Sequence, residues 1–264
     1  MSQATDYFEG KLLDHICGLA AYTAPATLYL GMATAMADGE VPTLTEVAGG
    51  SYARAALTND GTLFTRTGTI IKNDGIIPFA AASASWGSLT HWFLADHPTA
   101  GNLLIYGPLA AAISVLTGAT FRIAAEQLAI SFNFRSNYLG AAMLDHFFGG
   151  TPYVAPADID IALYTSPPTD AGGGTEVATG ATDYDRKEIP NDATSWTRTA
   201  NEVVNDNDIE WLEAAAAYGT VQAQAAFEAG TSNLMWWKNL AVNQPIGLGS
   251  MFAFTPGQYR VSLD

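Results

Sequence analysis

The segment Ala24-Pro-Ala-Thr-Leu-Tyr-Leu-Gly-Met-Ala-Thr34 is matched by Ala155-Pro-Ala-Asp-Ile-Asp-Ile-Ala-Leu-Tyr-Thr165, which lies 131 positions further along the chain. In both segments a strongly apolar residue alternates with Thr, Tyr, Gly, Asp or Ala, and the apolar positions correspond: Leu28, Leu30 and Met32 in the first, Ile159, Ile161 and Leu163 in the second. Such alternation is typical of a β-strand with one buried face in an antiparallel sheet. The two segments therefore predict the same strand twice.

The correspondence extends over almost the whole of the 264 residues. For example, Leu13-Asp-His15 returns as Leu144-Asp-His146, and further matches follow at offsets of 130 to 132 residues. Copies of this size indicate a domain duplication, because the units of a solenoid are much shorter. We predict two domains of one kind, residues 1–132 and residues 133–264, of which the second is the more diverged copy.

Each copy opens on a helical pattern. Apolar residues recur every four positions, at Phe8, Leu12 and Ile16 in the first copy and at Leu139, Met143 and Phe147 in the second. The other patterns predict strands, so we expect a mainly β chain of two tandem β-sandwich or jelly-roll-like domains, each preceded by a short α-helix. We also expect the helices, Phe8–Cys17 and Leu139–Phe148, to pack on their own sandwiches.

The segment Trp211–Ala229 is an exception to the β pattern, because its alanines and glutamates favour a helix by propensity. Its counterpart, Phe79–Asp96, contains Ser, Trp, Gly and Thr residues that do not favour a helix. Duplicated copies share a fold, and tertiary context overrides propensity. We therefore predict strands and turns in both segments.

The chain carries 11 basic and 26 acidic side chains, which give a formal charge of −15 at pH 7. This balance argues against nucleic acid and against an anionic membrane as partners, since both attract clustered lysine and arginine. Residues 1–132 hold 5 basic and 10 acidic side chains, whereas residues 133–264 hold 6 and 16. We infer that the first copy keeps the ancestral contacts and that the second presents an acidic face to solvent or to a basic partner.

The Leu-Asp-His motif contains the only histidine kept in both copies. Adjacent residues on a helix point about 100° apart, so Asp14 does not orient His15, and Asp145 does not orient His146. We interpret each histidine as a helix C-terminal residue favoured by the helix dipole, and each aspartate as a capping or solvated residue. The run Asn205-Asp-Asn-Asp208 lacks the glycine of a calcium-binding loop and is better explained as a polar hairpin turn.

Sequence motifs of catalytic nucleophiles, phosphate-binding loops and metal sites are not found. The one cysteine, Cys17, excludes an internal disulfide. We therefore predict a non-enzymatic protein without catalytic residues, metal or cofactor.

Four residues are candidates for an interface. Arg54 and Arg186 each follow a tyrosine by two positions and are the best retained basic residues of the two copies. In most such cases the arginine stacks on aromatic rings or pairs with a loop glutamate, and so acts as a structural clamp. Trp236 and Trp237 are adjacent, and neighbouring strand residues face opposite sides. We expect one of the two rings to face a partner.

Several strings of the first copy resemble a recurring domain of tailed bacteriophages, the family of phage tail fibre proteins. They are the Leu-Leu-Asp-His helix, the segment 24–34, Thr-Glu-Val-Ala-Gly-Gly-Ser-Tyr-Ala-Arg-Ala (45–55), Trp-Gly-Ser-Leu-Thr-His (86–91), Gly-Asn-Leu-Leu-Ile-Tyr-Gly-Pro-Leu (101–109), and the turn and closing strand at 118–130. The resemblance covers the whole first copy. The second copy lacks the Trp-Gly-x-Leu-Thr-His run and the Gly-Asn-Leu-Leu string, and the family implies no catalytic residues.

The resemblance implies a virion structural protein, assembled in the host cytoplasm and located on the particle surface. We expect a component of the tail or adsorption apparatus, either a fibre or an adaptor. Two alternatives remain open: a capsid decoration, cement or head-fibre-base protein, and a virion-bound module that binds or degrades a glycan. The partners expected are other virion proteins (tail, portal-proximal or major capsid protein), further copies of the chain, and a host-surface glycan.

The loops Ala37–Ser51 and Thr165–Thr182 differ most between the copies, and we expect them to make subunit contacts or to lie at the distal surface. Limited proteolysis of intact particles distinguishes the two positions. Rapid cleavage at Gly172–Gly174 in intact particles indicates distal exposure, because a loop buried at a contact is protected from proteases.

Overall fold

The computed structural model describes residues 3–37, 43–132, 134 and 136–263, so residues 38–42 of the first variable loop lie outside the described residues. The chain forms two compact units, and each unit combines segments from both sequence copies. Unit 1 consists of Met1–Glu9, Thr23–Phe132 and Ala141–Tyr153, and unit 2 consists of Gly10–Tyr22, Asn133–Gly140 and Val154–Asp264. The C-terminal part of each helical segment therefore belongs to the unit that holds the strands of the other copy.

Two helices occur among the described residues, α1 (Asp6–Ile16) and α2 (Asn137–Phe147), as the apolar spacing predicted. Each begins after a hydroxyl cap. Thr5 Oγ1 accepts a hydrogen bond of 3.4 Å and Ser136 Oγ one of 3.0 Å, in each case from the N–H three residues later. These caps satisfy a backbone donor that the first turn of a helix leaves free.

Unit 1 contains eleven strands among its described residues, and all their pairings are antiparallel. They are β1 (Gln3–Ala4), β2 (Thr27–Ala37), β3 (Thr43–Glu46), β4 (Ala55–Thr58), β5 (Phe64–Thr67), β6 (Ile70–Asn73), β7 (Ile77–Pro78), β8 (Gly87–Ala95), β9 (Leu103–Val115), β10 (Arg122–Ile123) and β11 (Ala129–Ile130). The large sheet has the order β1-β9-β8-β2-β3, and β4 also pairs with β2. Strand β7 pairs with β10, and β6 lies between β5 and β11.

Unit 2 repeats this arrangement with ten described strands. They are β12 (Asp158–Ser166), β13 (Thr175–Glu176), β14 (Lys187–Pro190), β15 (Trp196–Thr199), β16 (Glu202–Asn205), β17 (Ile209–Glu210), β18 (Gly219–Glu228), β19 (Leu234–Ile246), β20 (Ala253–Phe254) and β21 (Arg260–Ser262). The large sheet has the order β13-β12-β18-β19 with β14 also paired to β12, and the small sheets are β15-β16-β21 and β17-β20. Strand β18 confirms that the alanine-rich segment is not a helix.

The two segments that predicted the same strand form β2 and β12, in the interior of the large sheets. Their alternating apolar side chains are fully buried: Leu28, Leu30, Met32, Ile159, Ile161 and Leu163. In unit 1, Gly31 lies opposite Phe93, and a Cβ at Gly31 would be 2.1 Å from that ring. In unit 2, the equivalent pair is Ala162 opposite Ala225. The ring of Phe93 therefore fits only against a glycine, whereas two alanines lie opposite each other at the equivalent position of unit 2.

The mainly β architecture with a short helix at the start of each copy is confirmed, whereas the predicted sandwich or jelly roll is not what the described strands form. Each unit has one large sheet and two small ones of two or three strands. Buried asparagines replace ladder bonds there: Asn73 Nδ2 donates to the carbonyl of Ala124 at 2.9 Å, and its Oδ1 accepts from the N–H of Leu128 at 2.8 Å. Asn205 Oδ1 likewise accepts from the N–H of Tyr259 at 2.8 Å. The asparagine side chains thus satisfy buried backbone groups beside the short strands of the small sheets.

In unit 1 the end of α2 is held by residues of the first copy. Arg66 makes two hydrogen bonds to the carboxylate of Asp145, 2.6 Å from Nε to Oδ1 and 2.8 Å from Nη2 to Oδ2. Asn59 Nδ2 donates to the carbonyl oxygen of Phe147 at 2.7 Å. Gly149, with φ +73°, approaches so closely that a Cβ would lie 2.6 Å from the carbonyl oxygen of Asn59. Glycine is required at this contact.

In unit 2 the end of α1 is held in the same way by residues of the second copy. Arg198 Nε donates to Asp14 Oδ1 at 2.6 Å, and Asn191 Nδ2 donates to the carbonyl oxygen of Ile16 at 2.9 Å. A Cβ at Gly18 would lie 1.9 Å from the carbonyl oxygen of Asn191. Each unit thus receives the helix end of the other copy.

The expectation that each helix packs on its own sandwich is therefore wrong for the C-terminal part of each helix. The interpretation of Asp14 and Asp145 as capping or solvated residues is also wrong. A helix end presents unpaired carbonyl groups and a negative dipole, so it needs N–H donors and a cation. The asparagine and arginine that supply them come from the other copy. Both copies carry the Thr-Arg-Thr motif, and the sequence pattern alone does not distinguish one arginine from the other.

In the core, too, side chains of one copy pack against the helix end of the other copy. In unit 1 the rings of Phe64 and Phe148 pack with their centroids 4.7 Å apart. The corresponding residues of unit 2 are Trp196 and Cys17, both buried. A larger ring thus stands in unit 2 where the helix end of the other copy brings a smaller side chain.

Reversing one charge tests the exchanged pairing. Asp145→Arg is expected to lower the free energy of unfolding of the full chain by about 1–2 kcal/mol, because it sets two guanidinium groups together where an ion pair stood. Adding Arg66→Asp restores most of the loss, because the pair then forms with reversed polarity. Urea unfolding followed by circular dichroism measures both effects.

The matched control combines Asp14→Arg with Arg66→Asp, two positions of the same sequence copy. These residues are not partners, so the double variant keeps a repulsive contact in each unit and loses the sum of the two single effects. Rescue in this control, and none in the exchanged pair, would mean that each helix packs on its own copy.

Candidate functional site

A glutamate, a tyrosine and an arginine form a clamp in unit 1, beside the strand β2. The N–H of Met32 donates to Tyr52 Oη at 2.8 Å, and Tyr52 Oη donates to Glu46 Oε1 at 3.0 Å. Arg54 binds the same carboxylate twice, at 2.9 Å through Nε and at 2.8 Å through Nη2. Its Nη1 donates to the backbone carbonyls of residues 97 and 100, at 2.7 and 3.0 Å. The clamp ties β2, the end of β3 and the β8–β9 turn together.

Unit 2 contains the same clamp. The N–H of Leu163 donates to Tyr184 Oη at 2.8 Å, and Tyr184 Oη donates to Glu176 Oε1 at 3.1 Å. Arg186 binds Glu176 through Nε and Nη2 at 2.9 and 2.8 Å, and its Nη1 reaches the carbonyl of residue 231 at 3.3 Å. The duplicated chain has kept the whole network and not only its residue types.

Each arginine also lies over an aromatic ring. The guanidinium carbon of Arg54 is 5.0 Å from the ring centroid of Phe93, and that of Arg186 is 3.9 Å from the centroid of Phe227. The residue equivalent to Phe93 is Ala225, so in unit 2 the ring stands two residues further along the same strand face. Cation–π contact adds to the ion pair in holding each guanidinium in place.

The pKa values of the clamp arginines and tyrosines are raised by their surroundings. Hydrogen bonding to Glu46 raises the pKa of Arg54, and hydrogen bonding to Glu176 raises the pKa of Arg186. Burial raises the pKa of the Tyr184 hydroxyl well above its usual range, as it does for the equivalent tyrosine of unit 1. Neither the arginines nor the tyrosines change their protonation state near neutral pH. The contacts agree with the interpretation of Arg54 and Arg186 as structural clamps.

The two adjacent tryptophans lie on opposite faces of β19, as strand alternation requires. Trp236 is 6% exposed, and its Nε1 donates to Tyr259 Oη at 2.9 Å, so this ring is part of the core of unit 2 and not of a surface. Trp237 is half-buried, and its Nε1 donates to Asp170 Oδ1 at 3.0 Å. An interface role remains a prediction for Trp237.

The histidines of the Leu-Asp-His motifs have local partners. Nδ1 of His15 accepts from the N–H of Tyr22 at 3.3 Å, and Nδ1 of His146 accepts from the N–H of Tyr153 at 3.1 Å. Within the part of the chain that the structure describes, no group of three or more His, Cys, Asp or Glu side chains could hold a metal ion. In the same residues, neither helix is long and apolar enough to cross a membrane.

Unit 2 contains a cleft of about 360 Å³ that sequence reasoning missed. Its lining includes Asn137, Tyr138, Tyr164, Asp170, Arg186 and Phe227. Tyr138 Oη donates to Glu228 Oε1 at 2.5 Å, and burial together with this bond raises the pKa of Tyr138 to about 12. The signal in the sequence was the appearance of Tyr164 and Phe227 where the first copy has alanine.

Unit 1 contains a different cleft, of about 430 Å³, beside β4. No charged side chain lines it, and its walls include Leu57, Leu63, Ile76, Ile77 and Pro78. The two clefts do not occupy equivalent positions, so neither is a property of the repeated fold itself.

Removing one clamp hydroxyl tests the network. Tyr184→Phe leaves the buried N–H of Leu163 without its acceptor, and we expect the free energy of unfolding to fall by about 1–3 kcal/mol. Tyr52→Phe is expected to behave alike in unit 1. Tyr29→Phe is the control, since this half-buried hydroxyl has no hydrogen bond among the described residues, and its effect should stay within roughly 0.5 kcal/mol. Equal stability of Tyr184→Phe and the unaltered chain would contradict a supporting role for the clamp.

One family model matches the chain twice. The family is described as "Podophage GP4 fiber I protein gp80", and the matches cover residues 3–131 and 135–262. No curated protein matches the chain. The two matches coincide with the two copies found in the sequence and together span nearly the whole chain. The chain therefore belongs to this podophage fibre protein family and carries two tandem copies of its domain.

Proposed function

We propose that this virion structural protein is a non-enzymatic component of the tail or adsorption apparatus, a fibre or adaptor on the particle surface. The observation that supports it is the family match over both copies, since the family is described by a podophage fibre protein. The expected partners are other virion proteins, and further copies of the same chain.

The hydrogen bonding of the two glutamates retained in both copies supports a structural role over a catalytic one. Glu46 and Glu176 are each bound by a tyrosine and, twice, by an arginine. A general acid or base needs a carboxyl group that can reach a substrate and change its protonation. Trp92 and Trp236, which would mark a glycan-cutting cleft, are only 7% and 6% exposed.

The lengths of the strands and helices within each unit favour an adaptor over an elongated shaft. The longest described strands, β9 and β19, have 13 residues, and the helices have 11. A shaft built by coiled coils needs much longer helices with heptad repeats. A capsid decoration protein of the same build is the alternative, and its partner would be the major capsid protein.

Cryo-electron microscopy of the purified particle tests this placement. We expect density for the two units at the tail or the tail vertex, in a copy number that follows the symmetry of that site. Density spread over the capsid lattice would replace the tail assignment by the decoration alternative. A soluble monomer that is never found in purified virions would contradict both.

A further inference from the structure

The cleft of unit 2 combines aromatic walls with polar groups that retain free hydrogen-bonding capacity. Tyr138 stands at its side as a half-buried ring, fixed by its bond to Glu228. Tyr164 lines the cleft, and its Oη has no hydrogen-bond partner among the described residues. A hydroxyl in this position can both donate and accept a hydrogen bond to a bound molecule.

Asp170 supplies the acceptor. Trp237 Nε1 donates to its Oδ1 at 3.0 Å, which orients the carboxylate and leaves Oδ2 for a ligand. Asp170 is exposed and belongs to the loop that follows β12, where Asn137 donates its backbone N–H to the Asp170 carbonyl at 2.7 Å. The carboxylate, the tyrosine hydroxyl and the exposed Asn137 amide therefore line one cleft of about 360 Å³.

The charged side chains at the cleft disfavour binding of an anion. Arg186 is the one cation of the lining, and its guanidinium is already bound twice by Glu176 and covers Phe227. The carboxylate of Asp170 then leaves the cleft with net negative charge. An anionic ligand would be repelled, and a ligand without an apolar face would leave the half-buried Tyr138 ring without a packing partner.

We propose that this cleft binds a neutral sugar ring, whose C–H face packs on the half-buried ring of Tyr138 and whose hydroxyls bond to Tyr164 Oη and the Asp170 carboxylate. The volume lies within the usual range for a small-molecule site, and mixed donors and acceptors on an aromatic wall suit a polyhydroxylated ring. The site does not depend on where the protein sits on the particle.

The described residues of unit 1 differ at the equivalent place, which makes unit 1 an internal comparison. The residues equivalent to Tyr164 and Phe227 are Ala33 and Ala95, and both belong to a cluster against which Met36 and Leu44 pack. Apolar side chains thus fill this region in unit 1. The sugar site is a feature of the diverged copy.

Ligand-observed saturation-transfer NMR on the full chain tests the proposal. The probes are methyl glycosides of glucose, galactose, N-acetylglucosamine and rhamnose, with N-acetylneuraminic acid and N-acetyl-lysine methylamide as charged comparisons. We expect at least one neutral glycoside to bind with a Kd on the order of 1 mM. N-acetylneuraminic acid should bind at least about tenfold more weakly because its negative charge is repelled, and N-acetyl-lysine methylamide at least about tenfold more weakly because it has no sugar ring to pack on Tyr138 and no hydroxyls to bond.

Three variants locate the site. Tyr164→Phe and Asp170→Asn should each weaken binding of the neutral glycoside roughly tenfold, because each removes one hydrogen bond to it. Tyr29→Phe, a hydroxyl deletion in unit 1, should leave the affinity unchanged. Asp170 is exposed, so its variant keeps the test valid if Tyr164→Phe fails to fold.

Three outcomes would overturn the proposal. The first is that no neutral glycoside binds. The second is that a glycoside binds the Tyr164→Phe and Asp170→Asn chains as tightly as the unaltered chain. The third is that N-acetyl-lysine methylamide binds best, in which case the cleft takes a basic side chain of a partner protein.

Discussion

The ion pair between a helix-end aspartate and an arginine of the other copy is the contact on which the two units depend. It joins Asp145 to Arg66 in unit 1 and Asp14 to Arg198 in unit 2. With the asparagine that caps the same helix end, it brings a segment of one copy into the core of the unit formed by the other. Each unit therefore contains residues of both copies, and separating the copies would remove this segment from each unit.

Around this exchange, the Glu–Tyr–Arg clamps keep the large sheets alike while other positions vary. The clamp distances in the two units agree to within about 0.1 Å for the arginine–glutamate bonds. Packing beside the clamps differs at both members of a pair, since Gly31 lies opposite Phe93 in unit 1 and Ala162 opposite Ala225 in unit 2. An alanine at Gly31 would clash with the ring of Phe93, so the two positions depend on each other.

The divergence of the second copy has left its fold intact and altered its surface. It holds 16 of the 26 acidic side chains, and its sheet carries Tyr164 at a position where the first copy has Ala33. The cleft follows from these changes. A repeated frame with one altered copy allows a new site to arise without loss of the original contacts.

The sequence by itself determined the duplication, the mainly β class and the two helices. Alternating and four-residue apolar spacings report the local backbone directly. Comparison of the copies also showed that the helical propensity of Trp211–Ala229 does not determine its structure, since this segment contains the strand β18. The aromatic and glutamate environment of Arg54 and Arg186 was open to prediction as well, because residue types at fixed spacing were kept twice.

Only the tertiary structure decided which copy receives each helix end, how short the small sheets are and where the cleft lies. The sequence does not predict that each helix end packs in the unit of the other copy, because both copies contain the same Thr-Arg-Thr motif and the same Leu-Asp-His motif. In the small sheets, the buried amides of Asn73 and Asn205 bond to backbone groups that are distant in the sequence and that only the folded chain brings together. The cleft joins residues from α2, β12, β18 and the loops beside them, which are brought together only by long-range packing. Local sequence patterns determine local secondary structure. A contact between distant segments depends also on which of two equivalent partners packs against a given segment, and this is seen only in the folded chain.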